Sequence, residues 1–251
     1  MKKNIEKKGS LLSSSKQESL GEKRSKLFKQ SNGNLEDKIN SFTKYSSRQN
    51  IAKLIAQYEL VKETENILGD IVEAGVYFGS GLMGWANILA SVEPYNYQCK
   101  VIGFDTFAGS SGVTKKDQIY SKIHRREGEY KANSYDDLLK SINIFDQDRP
   151  LSHLQKVSLI KGDITKTSKT YIKNNPSQTI RILHISMNIY KPTYHTLKNF
   201  LPLMHKGSLI VIDGLNYATG GCMTALKENL DLKKLKIKTI DYYPNFTYFK
   251  L

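Results

Sequence analysis

Apolar residues in this chain follow two spacings, short unbroken runs and stretches where they recur every three or four positions. Ile51, Leu54, Ile55, Tyr58 and Val61 keep the second spacing and predict an amphipathic helix over about 49–64. Gly69-Asp70-Ile71-Val72-Glu73-Ala74-Gly75-Val76 follows, a buried strand running into glycines, and then a helix over 81–92. A second buried strand, 100–105, ends in an acid. Residues 108–133 are polar, charged and without period, and predict a long loop or lid. Ser134 is placed to cap a helix running through Ile142. Further strands are predicted at 157–160, closed by Lys161-Gly162-Asp163, at 179–186 and at 208–213. Helices are predicted at 194–204 and about 221–231, and two terminal strands at about 235–241 and 246–250, close enough to pair antiparallel. Strands alternating with helices predict an α/β fold, a mostly parallel seven-stranded sheet with an antiparallel C-terminal strand and helices on both faces.

Length and charge narrow this picture. At 251 residues the chain suits one α/β domain with decoration. No apolar run reaches the roughly 18–20 residues of a membrane span, and the basic N-terminus lacks the apolar core of a secretory signal. Cys99 and Cys222 stand in unrelated contexts, which predicts reduced thiols in a cytoplasmic protein. The net charge is +14, and residues 1–49 hold 12 Lys/Arg against 5 Asp/Glu. That stretch is poor in aromatics, so residues 1–35 are expected to be a mobile basic tail ahead of a domain over 36–251. The remaining positive charge is scattered and is not interleaved with base-stacking aromatics, so no specific nucleic-acid groove is predicted.

In a parallel sheet, ligands sit outside the carboxyl ends of the strands. The first strand ends in Glu73-Ala74-Gly75-Val76-Tyr77-Phe78-Gly79-Ser80-Gly81, where glycines let backbone approach a ligand. Neither G-x-G-x-x-G nor GxxxxGK[ST] is present, which argues against a pyrophosphate cradle. An acid two residues before the first glycine suits instead a ligand with a positive amino group, as S-adenosylmethionine has. Asp105 is placed to accept the ribose hydroxyls of an adenosine, and Asp163, before Ile164, its adenine amino group. The plainer reading of such acids is a helix cap or turn. Glu73, Gly75, Tyr77, Gly79, Ser80, Asp105, Thr106, Asp163, Ile164 and Ser186 make up the expected cofactor set.

Taken in order, these segments resemble the macrocin O-methyltransferase family, over roughly residues 45–250. The resemblance runs through the Gly69–Val76 segment, Gly103-Phe104-Asp105-Thr106-Phe107-Ala108-Gly109, Lys161-Gly162-Asp163-Ile164 with Thr167, and Ile189-Tyr190-Lys191-Pro192-Thr193. It ends with Lys206-Gly207 and Ile212-Asp213-Gly214-Leu215-Asn216. It implies a Rossmann-like class I fold, S-adenosylmethionine, a lid over the acceptor, and often a magnesium ion gripping two adjacent sugar hydroxyls. The family's metal pattern, L-x-x-D-x-D-x-Y and D-[DE], falls here on Ser186, Asn188, Asp213 and Gly214. Three acidic positions are neutral, so Mg²⁺ held by Asp213 and Asn188 is doubtful.

A sugar hydroxyl must lose its proton during methyl transfer, so without a metal a base is needed. Asp213 is the first candidate and His184 the second; His195 and His124 read equally as exposed residues, and Tyr77 and Tyr190 as pocket walls. The expected function is O-methylation of a small hydroxylated acceptor, a sugar or nucleotide-sugar, with weak or no metal dependence. A weakened S-adenosylmethionine-binding partner subunit is the alternative, and a third reading gives the basic tail a docking role toward another acceptor. The helix at 49–64 is a candidate interface for a homo-oligomer.

Overall fold

The computed structural model of the protein describes residues 19–118, 125–215 and 220–251. The chain divides into two compact units, one ending at Lys53 and one beginning at Leu54. In the first, α1 (Leu20–Gln30) and α2 (Leu35–Asn40) lie within and just beyond the stretch expected to be a mobile tail. Helix α1 buries no residue; it is built from Leu, Glu, Lys and Arg, which favour helix without burial. Asn34 and Asp37 close a capping box at the start of α2. The helix α3 (Arg48–Glu63) runs on into the second unit.

The second unit is a seven-stranded sheet in the order β3-β2-β1-β4-β5-β7-β6. Its strands are β1 (Asp70–Ala74), β2 (Val101–Asp105), β3 (Val157–Lys161), β4 (Ile180–Ile185), β5 (Met204–Asp213), β6 (Lys238–Ile240) and β7 (Tyr243–Lys250). Strands β1 to β5 are parallel, and β7 inserts antiparallel between β5 and β6. The crossovers carry α4 (Ser80–Val92), α5 (Tyr135–Gln147), α6 (Ile164–Asn174), α7 (Tyr190–Phe200) and α8 (Gly220–Asn229). Successive residues of β1 face opposite sides: Ile71 joins one apolar core with Leu82, Trp85 and Ile142, and Val72 and Ala74 join the other with Leu197, Phe200 and Leu226. Burial on both faces is why the strands read as apolar runs. Among the described residues no helix is long and apolar enough to cross a membrane.

Two local expectations are corrected. Ser134 does not cap α5 with its side chain; its hydroxyl donates to the Tyr77 carbonyl at 2.6 Å, tying the start of α5 to the turn after β1. Helix α7 begins at Tyr190 rather than near Tyr194, because Pro192 falls in the first turn, where a missing N–H costs nothing. It gives way at Leu201–Leu203 to a 3-10 turn, and β5 starts at Met204, within the range expected to be helical.

Candidate functional site

Strand order reverses between β1 and β4, so the crevice at their carboxyl ends is where the topology opens a site. A cavity of about 300 Å³ lies there, walled by Gly75, Tyr77, Asp105, Thr106, Asp163, Ile164, Ser186 and Asn188. Gly75 has φ 98°, and a Cβ on it would stand 3.0 Å from Met187 and 3.1 Å from the Ser186 carbonyl carbon. Only glycine lets β1 turn so close to the segment after β4.

Asp105 fastens that turn. Its Oδ2 accepts the backbone N–H groups of Val76 at 2.7 Å and Tyr77 at 2.8 Å, and its Oδ1 accepts that of Phe107 at 2.7 Å. The carboxylate thus orders the loop at the cavity wall while facing any ligand inside. Asp163 also has a backbone role: it caps α6, accepting the Thr165 N–H at 2.9 Å, and it lines the cavity beside Ile164. The Thr106 hydroxyl donates to the Gly109 carbonyl at 2.8 Å and shapes the loop that follows β2.

Glu73, Gly79 and Ser80 do not line the cavity. Gly79 and Ser80 form the start of α4. Glu73 is 2% exposed and turns beneath α4, where its Oε1 fills the space that a Cβ on Gly81 would occupy. Its partner there is His184, whose Nδ1 stands 3.3 Å from Glu73 Oε1 and whose Nε2 stands 3.5 Å from Asp213 Oδ1. Burial strips water from the ring and favours its neutral form, but Asp213 and then Glu73 outweigh that and raise its pKa to about 9. The Trp85 indole N–H also points at Nδ1 from 3.3 Å, a contact that suits a neutral ring. Two carboxylates within 3.5 Å of the ring against one indole dipole favour the imidazolium. His184 is fully buried, and neither it nor Asp213, the first candidate base, lines the cavity; the link from this pair to the wall is Ser186.

Asp213 in turn accepts the Ser186 hydroxyl at 2.6 Å and lies 3.4 Å from the Asn245 amide nitrogen. Ser186 lines the cavity, as does Asn188, whose backbone has φ 55° and whose buried Oδ1 has no hydrogen-bond partner among the described residues. A hard divalent cation wants six or more oxygens, carboxylates foremost. Here one carboxylate is engaged by a hydroxyl and an amide and sits beside an imidazolium. Among the described residues no three His, Cys, Asp or Glu gather as metal ligands. The donor set does not fit a tightly held magnesium ion.

The other candidates fall outside the cavity. Tyr190 donates to Glu228 at 2.5 Å beneath the Lys116 ammonium, which stands 3.8 Å over its ring. The Nδ1 of His195 is buried without a hydrogen bond among the described residues, and burial, helped by Lys169 and Lys191, lowers its pKa. His124 and Asn216 lie outside the described residues. Burial pushes the Cys99 thiol to about 11 and that of Cys222 to about 12, which makes both poor nucleophiles.

Sequence reasoning missed Asp117 and Arg125. Asp117 is fully buried at the root of the 108–133 loop, where it accepts from Thr114 N at 2.7 Å, Thr114 Oγ1 at 2.9 Å and Tyr190 N at 2.6 Å. The Thr114-x-x-Asp117 spacing is a legible capping-box signature. Asp117→Ala strands these donors and is expected to cost about 2–3 kcal/mol. In a thermal melt that is a fall of roughly 4–12 °C, and limited proteolysis should show faster cleavage near residues 108–118. An unchanged melt would mean that Asp117 does not anchor the loop.

A family model described as macrocin-O-methyltransferase (TylF) matches residues 7–250. Among solved structures, that of CalS11, a calicheamicin methyltransferase, is 25% identical with a TM-score of 0.89, covering 95% of this chain and 93% of that one. An apo structure of CalS11, described as a TDP-rhamnose 3'-O-methyltransferase, gives 24% identity and a TM-score of 0.80, with 95% of each chain covered. The O-methyltransferase NovP, at 22% identity and a TM-score of 0.61 over 78% of each chain, shares the fold. No curated protein matches.

Proposed function

The chain belongs to the macrocin O-methyltransferase family and is an O-methyltransferase, and from that premise we propose that it methylates a hydroxyl of a sugar or nucleotide-sugar without a tightly held metal ion. The observation that carries this is the cavity itself, where Gly75, Asp105 and Asp163 share the wall with Ser186, whose hydroxyl is tied to Asp213 outside that wall. CalS11, by its description an enzyme acting on TDP-rhamnose, supports the sugar acceptor.

S-Adenosylmethionine supplies an electrophilic methyl for in-line displacement when it is bound. Asp105 holds the ribose hydroxyls, Asp163 and Ile164 frame the adenine, and the Gly75–Tyr77 backbone follows the amino-acid end. The unpartnered Asn188 Oδ1 receives an acceptor hydroxyl and orients it. The Ser186 hydroxyl takes the proton of the reacting acceptor oxygen while passing its own to Asp213 Oδ2. The buried His184 ring, 3.5 Å from Asp213 Oδ1, holds that carboxylate in place, a positioning role.

The test is methyl transfer from S-adenosylmethionine to a panel of free and nucleotide-activated sugars, read by mass spectrometry. Turnover on none of the panel, with the cofactor bound, would favour the weakened-relative reading. EDTA treatment is expected to leave more than roughly half of the activity. Abolition that Mg²⁺ restores would overturn the metal-independent part of the proposal.

A further inference from the structure

Arg125 is a cation of the cavity wall that the methyl-transfer scheme does not use. It is 6% exposed, and its Nε has no hydrogen-bond partner among the described residues. Its Nη1 donates to the Tyr130 hydroxyl at 3.1 Å, and its Cζ stands 5.5 Å from the Tyr130 ring centroid. Glu129 Oε2 forms a loose ion pair with Arg125, 3.9 Å from Nη1 and beyond hydrogen-bond reach, and makes no hydrogen bond among the described residues. A buried guanidinium with an unmade N–H bond is costly unless something fills the gap. The other charged residues of the wall are Asp105, both of whose oxygens accept backbone N–H groups, and Asp163, whose Oδ1 caps α6.

Aromatic rings frame this cation at the cavity mouth. Tyr130 is 64% exposed, and its ring centroid stands 6.1 Å from that of Tyr77, which in turn packs edge-on against Phe78 at 4.4 Å. Tyr130 and Tyr77 both hold positive φ, 60° and 55°, a backbone state that tyrosine seldom adopts. Strain kept at a ligand-facing wall points to a binding role. Ser110 and Ser111 add hydroxyls to the same wall.

We propose that Arg125, Tyr130 and Tyr77 form the acceptor subsite, in which the guanidinium grips a phosphate oxygen and the rings receive the flat face of the group that carries it. The acceptor is then a phosphate-bearing sugar rather than a neutral glycoside. Both rings line the cavity yet are 45% and 64% exposed, Tyr77 and Tyr130 respectively, so they stand at its solvent side, and this places the anionic contact on the acceptor's route in. The inference rests on the methyl-transfer reading and deepens it.

The full chain, saturated with S-adenosylhomocysteine, is titrated calorimetrically with thymidine diphosphate and with thymidine. Thymidine diphosphate is expected to bind at least about tenfold more tightly than thymidine, and Arg125→Gln to remove that advantage. Arg125→Lys should keep part of the affinity as a point charge, and Glu129→Gln should keep all of it. S-Adenosylhomocysteine affinity, unchanged in each variant, reports intact folding. Equal binding of both probes, or an Arg125→Gln protein that binds the diphosphate as before, would overturn the subsite. So would an Arg125→Gln protein that loses S-adenosylhomocysteine but keeps 5'-methylthioadenosine, since the guanidinium would then hold the cofactor's carboxylate. A wild-type chain that binds no S-adenosylhomocysteine would instead defeat the methyl-transfer reading.

Discussion

His184→Leu is expected to lower the melting temperature by roughly 6–20 °C, corresponding to about 3–5 kcal/mol. The ring is fully buried between two carboxylates that are themselves 2% and 8% exposed, Glu73 and Asp213. Leucine fills the volume but strands both anions in a medium where an unpaired charge is expensive. The double variant Glu73→Gln/His184→Leu should recover part of the loss, and the coupling between the two sites should be about 1–3 kcal/mol. The pH dependence gives an independent reading. Its neighbours raise the His184 pKa to about 9, above the ordinary 6.5 of an unfolded chain. The imidazolium therefore contributes its full stabilisation below pH 6.5 and loses it as pH rises through about 9. Wild-type stability should decline across that window, and the His184→Leu protein should lack the decline. A wild-type profile flat from pH 6.5 to 9 would show that the ring is held neutral, with the Trp85 indole as its true partner.

This triad also shows what the sequence could and could not reveal. The strands β1, β2, β4 and β5 were legible because burial on both faces leaves unbroken apolar runs such as Ile210-Val211-Ile212. The glycine turn and Asp105 were legible because a turn, a close approach and a strand-terminal acid leave local marks. The orientation of Glu73 was not: its carboxylate is aimed by the space over Gly81 and by His184 on another strand, contacts that no local pattern encodes. Arg125 was hidden for a related reason. It stands in Arg125-Arg126-Glu127, which reads as a solvated charge run, although the fold buries the first of these residues. The start of α7 lies four residues ahead of the expected Tyr194, since Pro192 is neutral in a first turn. Helix α1 was missed because propensity alone, with no buried face, builds it.

Asp105→Ala is expected to weaken S-adenosylhomocysteine binding by at least about tenfold, a loss of about 1.4 kcal/mol or more. Two effects combine in that number. The carboxylate that would take the ribose hydroxyls is gone, and the N–H groups of Val76, Tyr77 and Phe107 lose their acceptor, so the glycine turn is no longer held against the cavity. Plain adenosine, which lacks the amino-acid end, separates the first effect from a loss confined to that end: its affinity should fall along with that of S-adenosylhomocysteine. Asp163→Ala serves as the comparison, because it removes a helix cap worth about 1 kcal/mol of stability and a cavity-lining acid without touching the glycine turn. Its effects on affinity and on melting should both be the smaller of the two, since it strands one backbone N–H group where Asp105→Ala strands three. Asp105→Asn keeps one acceptor oxygen and should fall between wild type and alanine. An Asp105→Ala protein that folds and binds adenosine with wild-type affinity would mean that this carboxylate serves the loop alone. The adenosine would then have to lie elsewhere along the strand tips.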